Sequence, residues 1–76
     1  MNKERRKALE EIRTKLEDLK GDIETLRDEE QEYIDNMPES LQSGEKHDTA
    51  ENAVSNMDDA INGLEDILSN VDEATA

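Results

Sequence analysis

Leu9, Ile12, Leu16, Leu19, Ile23 and Leu26 follow one another at alternating spacings of three and four residues. That rhythm is the a/d seam of a heptad repeat, and it commits the start of the chain to an amphipathic helix with a narrow apolar edge. In the same register Glu30 falls at a, Tyr33 at d and Met37 at a, so a carboxylate and a phenol enter the last turns of the seam. Pro38 disfavours helical backbone at Met37, which predicts a first helix over about 3–36.

The second half follows the same pattern. Ala50, Ala53, Met57, Ala60, Leu64, Ile67, Val71 and Ala74 alternate by three and four, and Val54, Ile61 and Leu68 form a further column at e. A short internal repeat results: SNMDDAI, NGLEDIL, SNVDEAT. Asp48 with Glu51 three residues on has the form of an N-terminal capping box, which predicts a second helix over about 46–73 and a loop cap over about 37–45.

A connection this short predicts an all-α fold, an antiparallel two-helix hairpin of coiled-coil type forming a single domain over 1–76. Such a hairpin is marginal alone. The first helix offers a seam that one partner can cover, whereas the second offers an a/d/e stripe too wide for one helix. A homo-oligomer is therefore expected, most simply a dimer closing a four-helix bundle, with Val54, Ile61 and Leu68 as the inter-chain contact.

Composition narrows the function classes. Of the 76 residues 32% are hydrophobic, one is aromatic and none is Cys, so disulfides and thiolate metal sites are excluded. The net charge of −13 is uneven. Lys3, Arg5, Arg6, Lys7, Arg13, Lys15 and Lys20 make residues 1–20 basic overall, and no Lys or Arg follows Lys46. Such a surface repels nucleic acid and anionic membranes and attracts basic partners. With no apolar run of signal or membrane length, a cytosolic protein is expected. Antiparallel packing predicts that the basic start, KERRK at 3–7, sits beside the acidic end of the second helix, at Asp66, Asp72 and Glu73.

Three groups of residues carry candidate chemistry. The pairs Asp58/Asp59, Glu65/Asp66 and Asp72/Glu73 recur every seven residues. They make either a solvated outer face or a surface shaped to occupy a basic groove. The calcium-loop spacing is absent. His47 and Glu51 share a helix face, but one His without Cys needs a second subunit to complete a transition-metal site, and no cofactor is expected. Ser40, Ser43 and His47 lack the framework of a catalytic triad, so no enzyme is expected.

The third group surrounds Glu30 and Tyr33. This layer faces small residues, Ala50, Ala53 and Val54. Either Tyr33 fills the space they leave, or Glu30, Tyr33, Asn36 and His47 line a polar pocket near the loop. Arg27, at e, stands beside the layer, positioned to neutralise Glu30 or to meet an anionic ligand such as a small nucleotide. The loop itself carries turn and capping chemistry in Asn36, Met37, Pro38 and Glu39, with Pro38 suited to opening a short helical turn.

The segment EEQEYIDNMPESLQSGEK (29–46), followed by an Ala-rich acidic heptad helix, resembles that of short acidic proteins of unknown function encoded by phages and prophages of Gram-positive bacteria. The likeness covers the middle and C-terminal two-thirds of the chain, and its specificity rests on DNMPESLQ. It implies a small accessory phage-type protein and supplies no catalytic residues. Two function classes follow: a binding protein that inhibits a host defence factor through the acidic face and loop cap, or an oligomeric sponge for a small nucleotide-type signal. A structural assembly module is the third.

Overall fold

The computed structural model describes residues 1–76. Two long helices, α1 (Lys3–Asp35) and α2 (Glu45–Thr75), pack against each other as an antiparallel hairpin 59 Å long and about 14 Å across, with no strand. α1 is opened by Asn2, whose side chain accepts a hydrogen bond from the Arg5 backbone N–H at 2.8 Å. It ends as Pro38 dictates, with Asn36 as its C-cap.

The connection is a compact cap. A 3-10 turn at Glu39–Leu41 begins right after Pro38, and the Gln42 side-chain amide donates to the Met37 carbonyl at 3.2 Å. α2 starts within a residue of the expected position, but its cap is not Asp48. Gly44 is its N-cap, and Asp48 lies inside the first turn, donating its backbone N–H to the Gly44 carbonyl. The position still favours carboxylates: Glu45 and Asp48 sit at the positive end of the helix dipole.

The seam between the helices is not the one expected. The α1 residues turned toward α2 are Leu9, Arg13, Leu16, Lys20, Ile23, Arg27, Glu30 and Ile34, columns a and e rather than a and d. α2 answers with its own a and e columns, including Val54, Ile61, Leu64 and Leu68. The cause is volume. At e, α2 carries Val54, Ile61 and Leu68; at d it carries Ala53, Ala60, Ile67 and Ala74. Burying a and e removes more apolar surface from water. Val54, Ile61 and Leu68 therefore do not form a free inter-chain surface. Ile61 and Leu68 are buried within a single chain, at 5% and 7% exposure, and Val54 is half-buried beside them.

The core is thin. Five residues are buried, Ile34, Met37, Ala50, Ile61 and Leu68, and none completely. Three of them lie at the loop end, so the hairpin is most tightly packed where its chain turns. Leu68→Ala and Ile61→Ala are each expected to cost about 2–3 kcal/mol, the low end for buried aliphatic truncation because the site is shallow. Chemical denaturation followed by helical circular dichroism measures this.

Candidate functional site

The rotated seam places cations along its edge. Arg13, Lys20 and Arg27 occupy successive e positions of α1, seven residues apart. Their long stems lie across the seam and their charged heads reach out to α2. Arg13 meets Asp72 in a two-point contact, Nε–Oδ1 at 2.5 Å and a second amine to Oδ2 at 3.2 Å. Lys20 approaches Glu65 at 3.4 Å, and Arg27 bonds Asp58 at 2.9 Å. Each step of seven along α1 is matched by a step of seven back along α2, giving an antiparallel ladder.

The ladder divides the acidic pairs. Asp58, Glu65 and Asp72 are its rungs and hold the hairpin in register. Asp59, Asp66 and Glu73 are exposed and take no part in any ion pair. The expected pairing of KERRK with the end of α2 does not form: Lys3, Arg5, Arg6 and Lys7 have no ion-pair partner. With Arg13 level with Asp72, the chain near Thr75 lies beside residue 10, and the first turn of α1 has no α2 residue next to it.

The charges of the ladder are tuned by their partners. The hydrogen bond from Arg13, aided by its positive charge, holds the Asp72 carboxyl below its ordinary value of 3.8. Donating to Asp72 in turn raises Arg13, and donating to Asp58 raises Arg27. All three are solvent-accessible, so the ladder sets alignment more than it adds stability.

At the loop end an open hollow of about 530 Å³ is lined by Glu30, Tyr33, Glu45, Lys46, Thr49 and Ala50. It includes Glu30 and Tyr33 as expected, but not Asn36 or His47. Tyr33 does not fill the space beside the alanines; it is 49% exposed and forms a wall of the hollow. Arg27 does not reach Glu30, being held by Asp58 and by Asp28 at 3.0 Å. Asn36 is an exposed helix cap, Met37 is buried under the turn, and Pro38 and Glu39 form the exposed turn itself.

His47 sits elsewhere, its Nε2 3.4 Å from Glu51 and its Nδ1 3.9 Å from Asp48. These three groups are close enough to share a cation, yet the two carboxylates are exposed and the cluster offers one nitrogen only. The approach of His47 to Glu51, one helical turn apart, accounts for the geometry. Ser40 and Ser43 are exposed, and neither side chain hydrogen-bonds to His47.

The ladder was readable in advance. The e column of α1 runs Arg6, Arg13, Lys20, Arg27, and the b column of α2 runs Glu51, Asp58, Glu65, Asp72. Complementary columns of opposite sign at one period are a pairing signal. Lys46 and Thr49 in the hollow carried no comparable signal.

The chain matches no family model, no curated protein and no solved structure.

Because Asp72 is held below its ordinary value in the folded chain, the stability it contributes is present above that value and is lost as pH falls through the depressed one. The melting temperature of the native chain is expected to exceed that of Asp72→Asn near neutral pH, with the gap closing in strong acid. Paired thermal melts across pH measure it.

Proposed function

We propose that this chain is a small acidic binding protein of phage type, acting in the cytosol of a host cell by occupying a basic surface on a host protein. The carrying observation is the split of the acidic pairs. Asp59, Asp66 and Glu73 stand exposed and unpaired at heptad spacing, rising roughly 10 Å per step along α2. The cations nearest α2 are all spent on the other member of each pair, so the outer column keeps its full charge. A rigid rod bearing carboxylates at that interval is suited to a groove lined by Lys and Arg. The loop cap, with Pro38 and Glu39 exposed at its tip, extends the contact beyond the helix end. The phage context rests on the resemblance of the loop segment, and inhibition of a defence factor is the use that such a context favours.

A sponge for a small signal has one observation in its favour, the hollow beside Tyr33. Its lining holds two carboxylates, Glu30 and Glu45, against a single ammonium, Lys46. That balance opposes an anionic nucleotide and suits a cationic or zwitterionic molecule. Calorimetry with a nucleotide panel tests the nucleotide version, and absence of heat with every member ends it.

The acidic-face reading separates two sets of carboxylates that a blanket neutralisation would confuse. Asp59→Asn/Asp66→Asn/Glu73→Gln is expected to abolish low-salt capture of a basic protein from bacterial lysate while leaving the melting temperature within a few degrees. Asp58→Asn/Glu65→Gln is expected to lower the melting temperature. Capture that persists in the triple variant and in high salt overturns the reading.

A further inference from the structure

Turning the seam to a and e leaves the d columns uncovered. On α1 these are Ile12, Leu19, Leu26 and Tyr33, four large side chains between 48% and 56% exposed. On α2 they are Ala53, Ala60, Ile67 and Ala74. Both columns lie on one side of the hairpin: Leu26 and Tyr33 border a shallow hollow with Met57, Glu29 and Glu30, and Tyr33 shares the loop-end hollow with Glu30, Glu45, Lys46 and Thr49. The ladder runs along the other side.

We infer that this face is the contact surface for a second copy of the same chain, turned end for end about a two-fold axis between Leu19 and Leu26. Four observations favour a second copy in that orientation. The exposed d column spans Ile12 to Tyr33, three heptads of a hairpin 59 Å long, which gives room for a contact on the scale of the roughly 800 Å² per partner of a standard interface. α2 keeps it free of acid: none of its carboxylates falls at d or at the flanking g positions, Thr49, Asn56, Gly63 and Asn70, in a chain of net charge −13.

The d column is also symmetric about its own middle. Turned end for end, Leu19 faces Leu26 of the second copy and Ile12 faces Tyr33. On α2 the same axis passes near Gly63, where an added Cβ would meet only open space within the chain. A mid-helix glycine costs stability, and here it permits close approach of the two α2 backbones.

Charge fixes the orientation. The unpaired basic turn, Lys3 to Lys7, comes level with Glu39 and Ser40 of the second copy, and Lys15 comes level with Glu30. The alternative, with both loops at one end, lays α1 over α2 of the second copy, leaves the basic turn beyond the end of α2 with no acid opposite it, and brings the two acidic loops to the same end. The end-for-end dimer meets one like-charge contact, Asp22 with its own copy at the rim. It also closes the loop-end hollow, which is open in the single chain, with Ile12 and Lys15 of the other copy.

Sedimentation equilibrium of the full chain decides the matter. A dimer at micromolar concentration is expected; a folded monomer, or a trimer or tetramer, overturns the inference. Leu19→Gln/Leu26→Gln is expected to weaken association at least about tenfold, and undiminished association overturns it. Arg5→Glu/Arg6→Glu reads the orientation: weaker association supports the end-for-end arrangement, and unchanged or tighter association overturns it.

A cysteine test reads the arrangement without placing a polar side chain at the middle of the face. Mixed Ile12→Cys and Tyr33→Cys chains are expected to form a mixed disulfide dimer under mild oxidation. Cross-linking of each variant only to itself overturns the arrangement. Asp59→Asn/Asp66→Asn/Glu73→Gln is expected to leave the dimer intact, so this inference and the acidic-face reading can fail separately.

Discussion

Three cations at the edge of the seam decide how this hairpin is built. Residues 21–76 are strongly acidic, and two helices of such composition repel each other unless countercharge stands between them. Arg13, Lys20 and Arg27 supply it at the point of closest approach, with stems that cover apolar surface and heads that meet Asp72, Glu65 and Asp58. Apolar residues at those e positions would bury similar area but fix no register. A slip that set Lys20 against Asp72 would leave Arg13 without a partner and Asp58 beside Ile34; the opposite slip would keep charge pairs but break the packing of Ile34, Met37 and Ala50 at the turn, so ladder and turn fix the register together.

The fourth rung shows the same logic by exception. After Arg27 the e column continues with Ile34, which is buried, and the α2 carboxylate beside it is Glu51. With no cation available from α1, Glu51 finds a partner on its own helix, in the His47 imidazole one turn earlier, at 3.4 Å. The only His of the chain thus has a structural place beside the acid that the ladder leaves out. Ile34, with Met37 and Ala50, instead packs the turn. The hairpin trades a charge pair for apolar packing where the chain reverses and the loop holds both helices together at small entropic cost.

Much of the fold was legible because heptad spacing is a geometric statement. Two seams broken by Pro38 give two helices and a hairpin, and the structure has them within a residue or two at each end. The rotation of the seam was harder to read. A column of Ala at d counts as apolar in a pattern, yet Ala53 and Ala60 bury far less area than Val54 and Ile61, and volume decided which face turned inward. The same substitution of pattern for volume made Val54, Ile61 and Leu68 look like surplus surface. At the loop end, Glu30 and Tyr33 were legible as an irregular layer. The rest of the hollow was not, because Glu45, Lys46 and Thr49 lie at the start of α2 outside the columns that pack the seam, and no spacing marks them as its lining.

α2 distributes its residues by column with unusual discipline. Three of its b acids, Asp58, Glu65 and Asp72, pair with α1, its c acids are exposed, its a and e residues are packed, and its d and g positions carry no carboxylate. Solubility alone would require only that charge lie outside the core, and a b/c/f/g spread of carboxylates would meet that need. Confining acid to one side while leaving the adjacent d/g strip without it separates a face built for water or a basic surface from one built for apolar contact. The exposed large residues of α1 lie beside that strip, not beside the acids. The exposed acids and the exposed apolar column thus occupy different sides of the same rod.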